Sequence, residues 1–152
     1  MKLADSIGRS VRLDPVGFEF PGNADMNWIV VVGDATDGDR QWDFRGAVLA
    51  SADLDRIADW LDEVSAGQVD ATGVDDEPTL TFTEPSLALS VASYVAGLVN
   101  LRIHLTHWFA PPWLDIDEVT STYTFFVELA LGVDEVSRAA SEWRVQSAAV
   151  LR

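Results

Sequence analysis

The chain has 152 residues, 25 acidic and 10 basic side chains, a net charge of -15 and no cysteine. This length suits a single domain over residues 1–152, with a core that needs no disulfides. The lack of cysteine excludes thiolate zinc sites and cysteine nucleophiles and favours a cytoplasmic protein. The scarcity of Lys and Arg argues against binding to nucleic acid or to anionic membranes. No stretch has the roughly 18 apolar residues of a spanning helix.

The acidity is concentrated in one part of the chain. Between Asp34 and Glu77 there are thirteen acidic residues and three arginines, a local balance of -10. Such a charge distribution attracts a cationic partner and repels polyanions. The alternative is that the acidity serves solubility or adaptation to high salt.

The first fifty residues predict strands. Residues 11–13 and 18–20 alternate around a turn signal at 14–17, which predicts a hairpin or a bent edge strand. Residues 28–32 are apolar on both faces, as is typical of a central strand. Turn residues at 33–38 then lead into the alternating residues 41–48, a hairpin partner.

A helix is predicted over residues 51–66, with Ser51 as its cap. Its apolar stripe consists of Leu54, Ile57, Ala58 and Leu61. The opposite side carries the acidic residues Asp55, Asp59, Asp62 and Glu63. Like charges at i,i+4 spacing repel one another, and only Arg56 is placed to relieve them.

The second half predicts an exposed acidic loop, further strands and a C-terminal helix over residues 134–148 with Asp134 as its cap. The strands are expected at 79–83, 87–92, 99–106 and 123–129. In the third of them the alternation predicts one wet face, consisting of Asn100, Arg102, His104 and Thr106. Because the turns are too short for parallel crossovers, we predict an α+β fold with an antiparallel β-sheet of about six or seven strands, one central helix and one C-terminal helix.

The sequence offers no catalytic residue. His104 and His107 are three positions apart, a spacing that suits a metal on a helix but points the side chains to opposite faces of a strand. No serine stands in an elbow or triad context. We therefore predict no enzyme, no metal site and no cofactor.

Five of the six tryptophans divide into two groups, and the sixth, Trp60, lies at the margin of the apolar stripe of its helix, where it could cover an edge of the sheet. Trp28, Trp42 and Trp143 occupy periodic positions that face the core. Trp108 and Trp113 lie in a proline-stiffened loop, where they could anchor a partner or simply plug the end of the sheet. The predicted partner-binding residues are Asp34, Asp37, Asp39, Asp55, Asp59, Asp62, Glu63, Trp108 and Trp113.

The order of several motifs resembles the WapI family of bacterial immunity proteins. The motifs are Gly17-Phe18-Glu19-Phe20-Pro21, Asn27-Trp28, Asp37 to Trp42, Leu54 to Leu61, Leu80 to Leu87 and Pro112-Trp113-Leu114. The similarity spans roughly residues 11 to 114. It implies a protein that binds and blocks the toxic C-terminal domain of a WapA-type contact-dependent toxin, in the known case a tRNA-cleaving nuclease. It implies inhibition, and it supplies no catalytic residues.

The leading prediction is therefore an acidic protein that neutralises a basic toxin domain. It is expected to be a monomer or a weak homodimer. One alternative is a small-ligand-binding or enzymatic domain that uses the sheet face near Arg102 and His104, which would need a concave pocket. Another is a structural or housekeeping interaction module.

Overall fold

In the computed structural model, residues 1–23, 27–115 and 122–152 are described. They form eight strands, two long helices and a short 3-10 helix, His107–Phe109. The strands are β1 Lys2–Ala4, β2 Ser10–Phe18, β3 Ile29–Asp37, β4 Arg40–Leu49, β5 Leu80–Thr81, β6 Leu87–Val95, β7 Leu98–Leu105 and β8 Phe126–Gly132. The helices are α1 Ser51–Ser65 and α2 Val133–Val150.

The strands belong to two four-stranded antiparallel sheets, ordered β1-β2-β3-β4 and β5-β6-β7-β8. The α+β class, the antiparallel pairing and the two helices are confirmed, but the prediction of a single sheet of six or seven strands is wrong. In chain order, α1 and the connection after it lie between β4, the last strand of the first sheet, and β5, the first strand of the second. The 3-10 helix packs beside β4, where Trp42 Nε1 donates a hydrogen bond to the Phe109 carbonyl at 3.0 Å.

Two predicted turns in the first sheet are corrected. Residues 14–17 do not reverse the chain, because β2 continues through them with a bulge between Pro15 and Gly17. A bulge can hold a proline, which has no N–H to donate to the ladder. Residues 33–37 belong to β3, so the turn to β4 consists only of Gly38 and Asp39. Gly38 has a φ of +66°, which glycine adopts at little cost.

Both helices begin with an acidic side chain in the first turn that binds the backbone N–H of the N-cap residue, and in neither helix is the N-cap the predicted residue. Ala50, and not Ser51, is the N-cap of α1, and the Asp53 carboxylate accepts a hydrogen bond from its N–H at 2.8 Å. Gly132, and not Asp134, is the N-cap of α2, and Glu135 binds its N–H at 2.7 Å. These carboxylates accept hydrogen bonds from N–H groups that have no partner inside the helix, and their negative charge is stabilised by the positive end of the helix dipole.

Both sheets and both helices contribute to one cluster of buried apolar residues. The two helices pack on each other, and α2 also packs against β1, β2 and β8. Trp143 is fully buried between the helices, and its indole N–H binds the Leu54 carbonyl at 2.9 Å. Trp42 and Trp143 thus face the core as predicted, whereas Trp28, which lies just before β3, is only half-buried.

Candidate partner-binding surface

The acidic face of α1 follows directly from the packing of its apolar stripe. Leu54, Ile57 and Leu61 are fully buried, so the opposite side of the helix points away from the core. That side carries Asp55, Asp59, Asp62 and Glu63, which we call the α1 acidic face. The side chain of Asp59 is 69% exposed and that of Asp62 is 47% exposed. These carboxylates are therefore available to a partner from solution.

An arginine from the other helix lies against this face. The Arg144 Nη2 atom of α2 is 3.0 Å from Asp59 Oδ1 and 2.7 Å from Asp62 Oδ2. These two carboxylates also raise the pKa of Arg144. The sequence-based view that only Arg56 could relieve the repulsion is wrong, since Arg56 instead pairs with Asp53 at 2.7 Å.

Two members of the α1 acidic face remain without such a partner. Asp55 and Glu63 form no ion pair with any residue in the described ranges 1–23, 27–115 and 122–152. Both are exposed, and each lies one turn from Asp59, whose charge Arg144 offsets in part. The uncompensated charge of α1 is consequently centred on Asp55 and Glu63.

The other predicted acidic residues lie on the first sheet. Asp34, on β3, accepts a hydrogen bond from Arg12 Nε at 2.6 Å. Asp37 ends β3 and is half-buried, and Asp39 lies in the two-residue turn at the tip of the β3–β4 hairpin, where it is exposed. This tip is at the opposite end of β4 from the residue at which α1 begins. The structure thus distributes the predicted acidic residues over the helix, the sheet face and the hairpin tip.

The two loop tryptophans lie along β4. Trp113 is 40% exposed and contacts Trp42 edge to face, with the ring centroids 5.2 Å apart. The Arg40 guanidinium lies 4.9 Å from the centroid of the Trp113 ring, next to the hairpin tip. Trp113 therefore partly covers the core, as the alternative interpretation expected. Trp108 is 67% exposed, the more accessible of the two.

The polar face of β7 is not wet, which corrects the prediction for Arg102 and His104. Arg102 is 7% exposed and His104 is 3% exposed. The acidic loop after α1 covers part of this face, because Ala71 bridges to β6 and the Thr72 carbonyl accepts from Arg102 at 2.8 Å. Arg102 also pairs with Glu128 at 3.3 Å.

His104 is held by two neutral partners. Its Nδ1 atom is 2.8 Å from the Tyr123 carbonyl, and its Nε2 atom is 2.8 Å from Ser90 Oγ. Since a carbonyl can only accept, Nδ1 carries the proton and Nε2 accepts from the Ser90 hydroxyl. Burial, and secondarily the charge of Arg102, lowers the pKa of His104 from 6.5 to about 4. Arg102 and His104 are thus enclosed by protein, which removes support for a ligand site on this face.

Two further observations concern the kinds of site considered from sequence. Among the described residues, no group of three or more His, Asp or Glu side chains is arranged to hold a metal ion. Neither α1 nor α2, nor any other helix in the described part of the chain, is long and apolar enough to cross a membrane.

Comparison with known families agrees with the resemblance seen in the motifs. Residues 2–150 match the immunity protein WapI-like family. The chain belongs to this family. The match includes the terminal strand and helix, which lie beyond the motifs that first carried the resemblance. No curated protein and no solved structure matches the chain. Membership in the WapI-like family indicates a role in immunity to a toxin.

The sequence analysis missed Arg144, which partly neutralises the α1 acidic face by pairing with Asp59 and Asp62. Arg144 is adjacent to Trp143, whose position on the apolar stripe of α2 is readable from the sequence. That signal places Arg144 near the margin of the buried face. It cannot say that α1 is the element packed there, so the pairing with Asp59 and Asp62 emerges only from the tertiary structure.

Proposed function

We propose that this WapI-like protein binds and blocks a basic, RNA-cleaving toxin domain, and that the α1 acidic face is the centre of the contact. The match of residues 2–150 to an immunity family carries the proposal. The toxin is the partner that this family role requires, and inhibition needs binding but no catalytic group. Nothing in the proposal calls for a cofactor.

The charge of the protein supports a basic partner. A net charge of -15 steers a cationic molecule toward the protein, and the steering is strongest where charges are locally uncompensated. An RNA-cleaving domain must attract phosphates, so its substrate site carries basic side chains. Asp55 and Glu63, with the exposed carboxylates of Asp59 and Asp62, would meet those side chains in place of the phosphates.

The aromatic residues along β4 supply the second element of the proposed contact. Aromatic side chains are frequent anchors in interfaces because they bury a large area with few rotatable bonds. Trp108 is the more exposed anchor, and Trp113 adds a smaller area beside the hairpin tip of Asp37 and Asp39.

The first test uses a candidate toxin domain, such as the product of an adjacent gene, and asks whether its RNA-cleaving activity is lost when the protein is added in stoichiometric amount. The second test localises the contact with the double variant Asp55→Asn/Glu63→Gln. Its folding stability should be unchanged or raised by a few tenths of a kcal/mol, because it removes only like-charge repulsion. Association with the toxin domain at low salt should slow by on the order of two- to fivefold, with a weaker salt dependence.

The matched control is Asp75→Asn/Glu77→Gln, which makes the same change in net charge in the exposed loop between α1 and β5. Stopped-flow rates at low and high salt compare the two variants with the wild type. Equal slowing in both variants would mean that only total charge matters. Wild-type rates and salt slopes in the α1 variant would move the contact away from this helix.

A further inference from the structure

A cleft of about 590 Å³ lies over the end of β2, the start of β3 and the middle of β4. It is distinct from the α1 acidic face, and its wall combines aromatic rings with charges of both signs. The side chains that give it this chemistry are Phe18, Trp28, Trp108, Glu19, Glu84 and Arg45.

Irregular backbone shapes this cleft. Two bulges lie near its floor: β2 has an extra residue at Val16, between Pro15 and Gly17, and β4 has an extra residue at Val48, opposite Ile29 and Val30. Bulges bend and twist strands, and they re-aim the neighbouring side chains. Because of this local geometry, the first sheet ends in a concave surface.

A glycine brings the third aromatic ring to the rim. A Cβ atom at Gly46 would lie 2.9 Å from the Trp108 Cβ atom, closer than two such atoms can approach. Glycine at this position therefore lets the 3-10 helix approach β4 closely. Trp108 is fixed at the rim through its backbone N–H, which donates to Ser86 Oγ at 3.2 Å, while 67% of the residue stays exposed.

The charges of the cleft are not already neutralised by one another. Glu84 accepts the backbone N–H of Ser86 at 3.0 Å, a contact that leaves its charge in place. Over residues 1–23, 27–115 and 122–152, no ion pair within 4 Å engages Glu19, Glu84 or Arg45. Two carboxylates and one guanidinium leave an excess of one negative charge beside the rings.

We propose that this cleft receives an arginine side chain of the toxin domain, an inference that rests on the proposed function. A guanidinium is planar, so it can stack on Trp108 or Trp28 while donating paired hydrogen bonds to Glu19 or Glu84. A lysine ammonium offers neither the planar stacking nor the forked donors. The two carboxylates oppose an anion, and a purely apolar side chain would leave them desolvated without a partner.

The chemistry of the cleft can be tested without the toxin, using N-acetyl-arginine amide as the probe. The indole N–H signals of Trp28 and Trp108, assigned with Trp→Phe variants, are followed by two-dimensional NMR during the titration. Both signals should shift with millimolar arginine amide, less with N-acetyl-lysine amide and not with N-acetyl-glutamate amide. No shift with arginine amide, or a larger shift with the glutamate derivative, would overturn the inference.

Two variants, one that removes a negative charge from the cleft and one that removes a positive charge, test this binding further. Glu19→Gln should weaken the binding of arginine amide severalfold, because it removes a carboxylate that accepts from the guanidinium. Arg45→Gln should strengthen it, because it removes the resident cation. If Arg45→Gln instead weakens the binding of arginine amide, the probe does not compete with the resident cation for the carboxylates and the inference is wrong.

Binding of the toxin domain separates this inference from the proposed function. Trp108→Ala and Glu19→Gln should each raise the Kd for the toxin about tenfold, whereas Glu77→Gln in the exposed loop should not. Wild-type affinity in the two cleft variants would overturn the inference and the anchoring role of Trp108, but would leave toxin blocking through the α1 acidic face intact. If the wild-type protein fails to bind the toxin at all, the proposed function fails, and the amide titration still decides what the cleft recognises.

Discussion

Protonation of His104 should destabilise the fold below neutral pH. In the folded protein the ring is buried, its Nδ1–H donates to the Tyr123 carbonyl and its Nε2 accepts from Ser90. A second proton would replace the acceptor at Nε2 with a donor. It would also place a positive charge in a buried site near Arg102.

The sign and size of the effect follow from the lowered pKa of His104. The folded pKa is about 4 and the unfolded value is about 6.5. Between these two pH values the unfolded chain binds more protons than the folded protein does, so the free energy of unfolding falls as the pH decreases. The contribution of His104 is fully present above pH 6.5, and roughly 2 kcal/mol of it is lost between pH 7.5 and pH 5.0.

Urea unfolding of the wild type and of His104→Gln at these two pH values measures this contribution. The many carboxylates titrate in both proteins, so the difference between the two pH effects isolates the histidine. The wild type should lose roughly 2 kcal/mol more than the variant on acidification. If the wild type and His104→Gln change equally, His104 is not held neutral.

Two further substitutions test the packing described above. Arg144→Gln removes the ion pairs between α2 and the α1 acidic face, so the free energy of unfolding in urea should fall by at most about 1 kcal/mol. Association with a basic toxin domain should become faster, because the face gains net negative charge. Slower association would contradict the proposed role of that face. Gly33→Ala would place a Cβ atom 2.2 Å from the Arg12 carbonyl oxygen and 2.5 Å from the Phe44 ring, so it should destabilise the protein by roughly 3 kcal/mol. A wild-type urea midpoint for this variant would refute the close approach of β2 and β3.

Local patterns in the sequence predicted much of the secondary structure and one element of the candidate surface. The stripe of Leu54, Ile57 and Leu61 predicted both α1 and the exposure of its acidic side, because a helix repeats every 3.6 residues and its two faces are readable from the spacing. The alternation in β4 and β7 likewise predicted strands. The ordered motifs also indicated the family, to which residues 2–150 prove to belong.

The covering of each face was decided only by the tertiary structure. Alternation in β7 separates Arg102 and His104 from the apolar side, but it cannot say that the loop after α1 covers Arg102 or that Tyr123 packs on His104. In the same way, the sequence of α1 does not reveal that Arg144 approaches from α2. The bulges that shape the cleft interrupt the alternation of the strands, so a regular pattern does not predict them. Periodicity specifies which side of an element differs from the other, whereas the partner on that side depends on how chain segments far apart in sequence pack together.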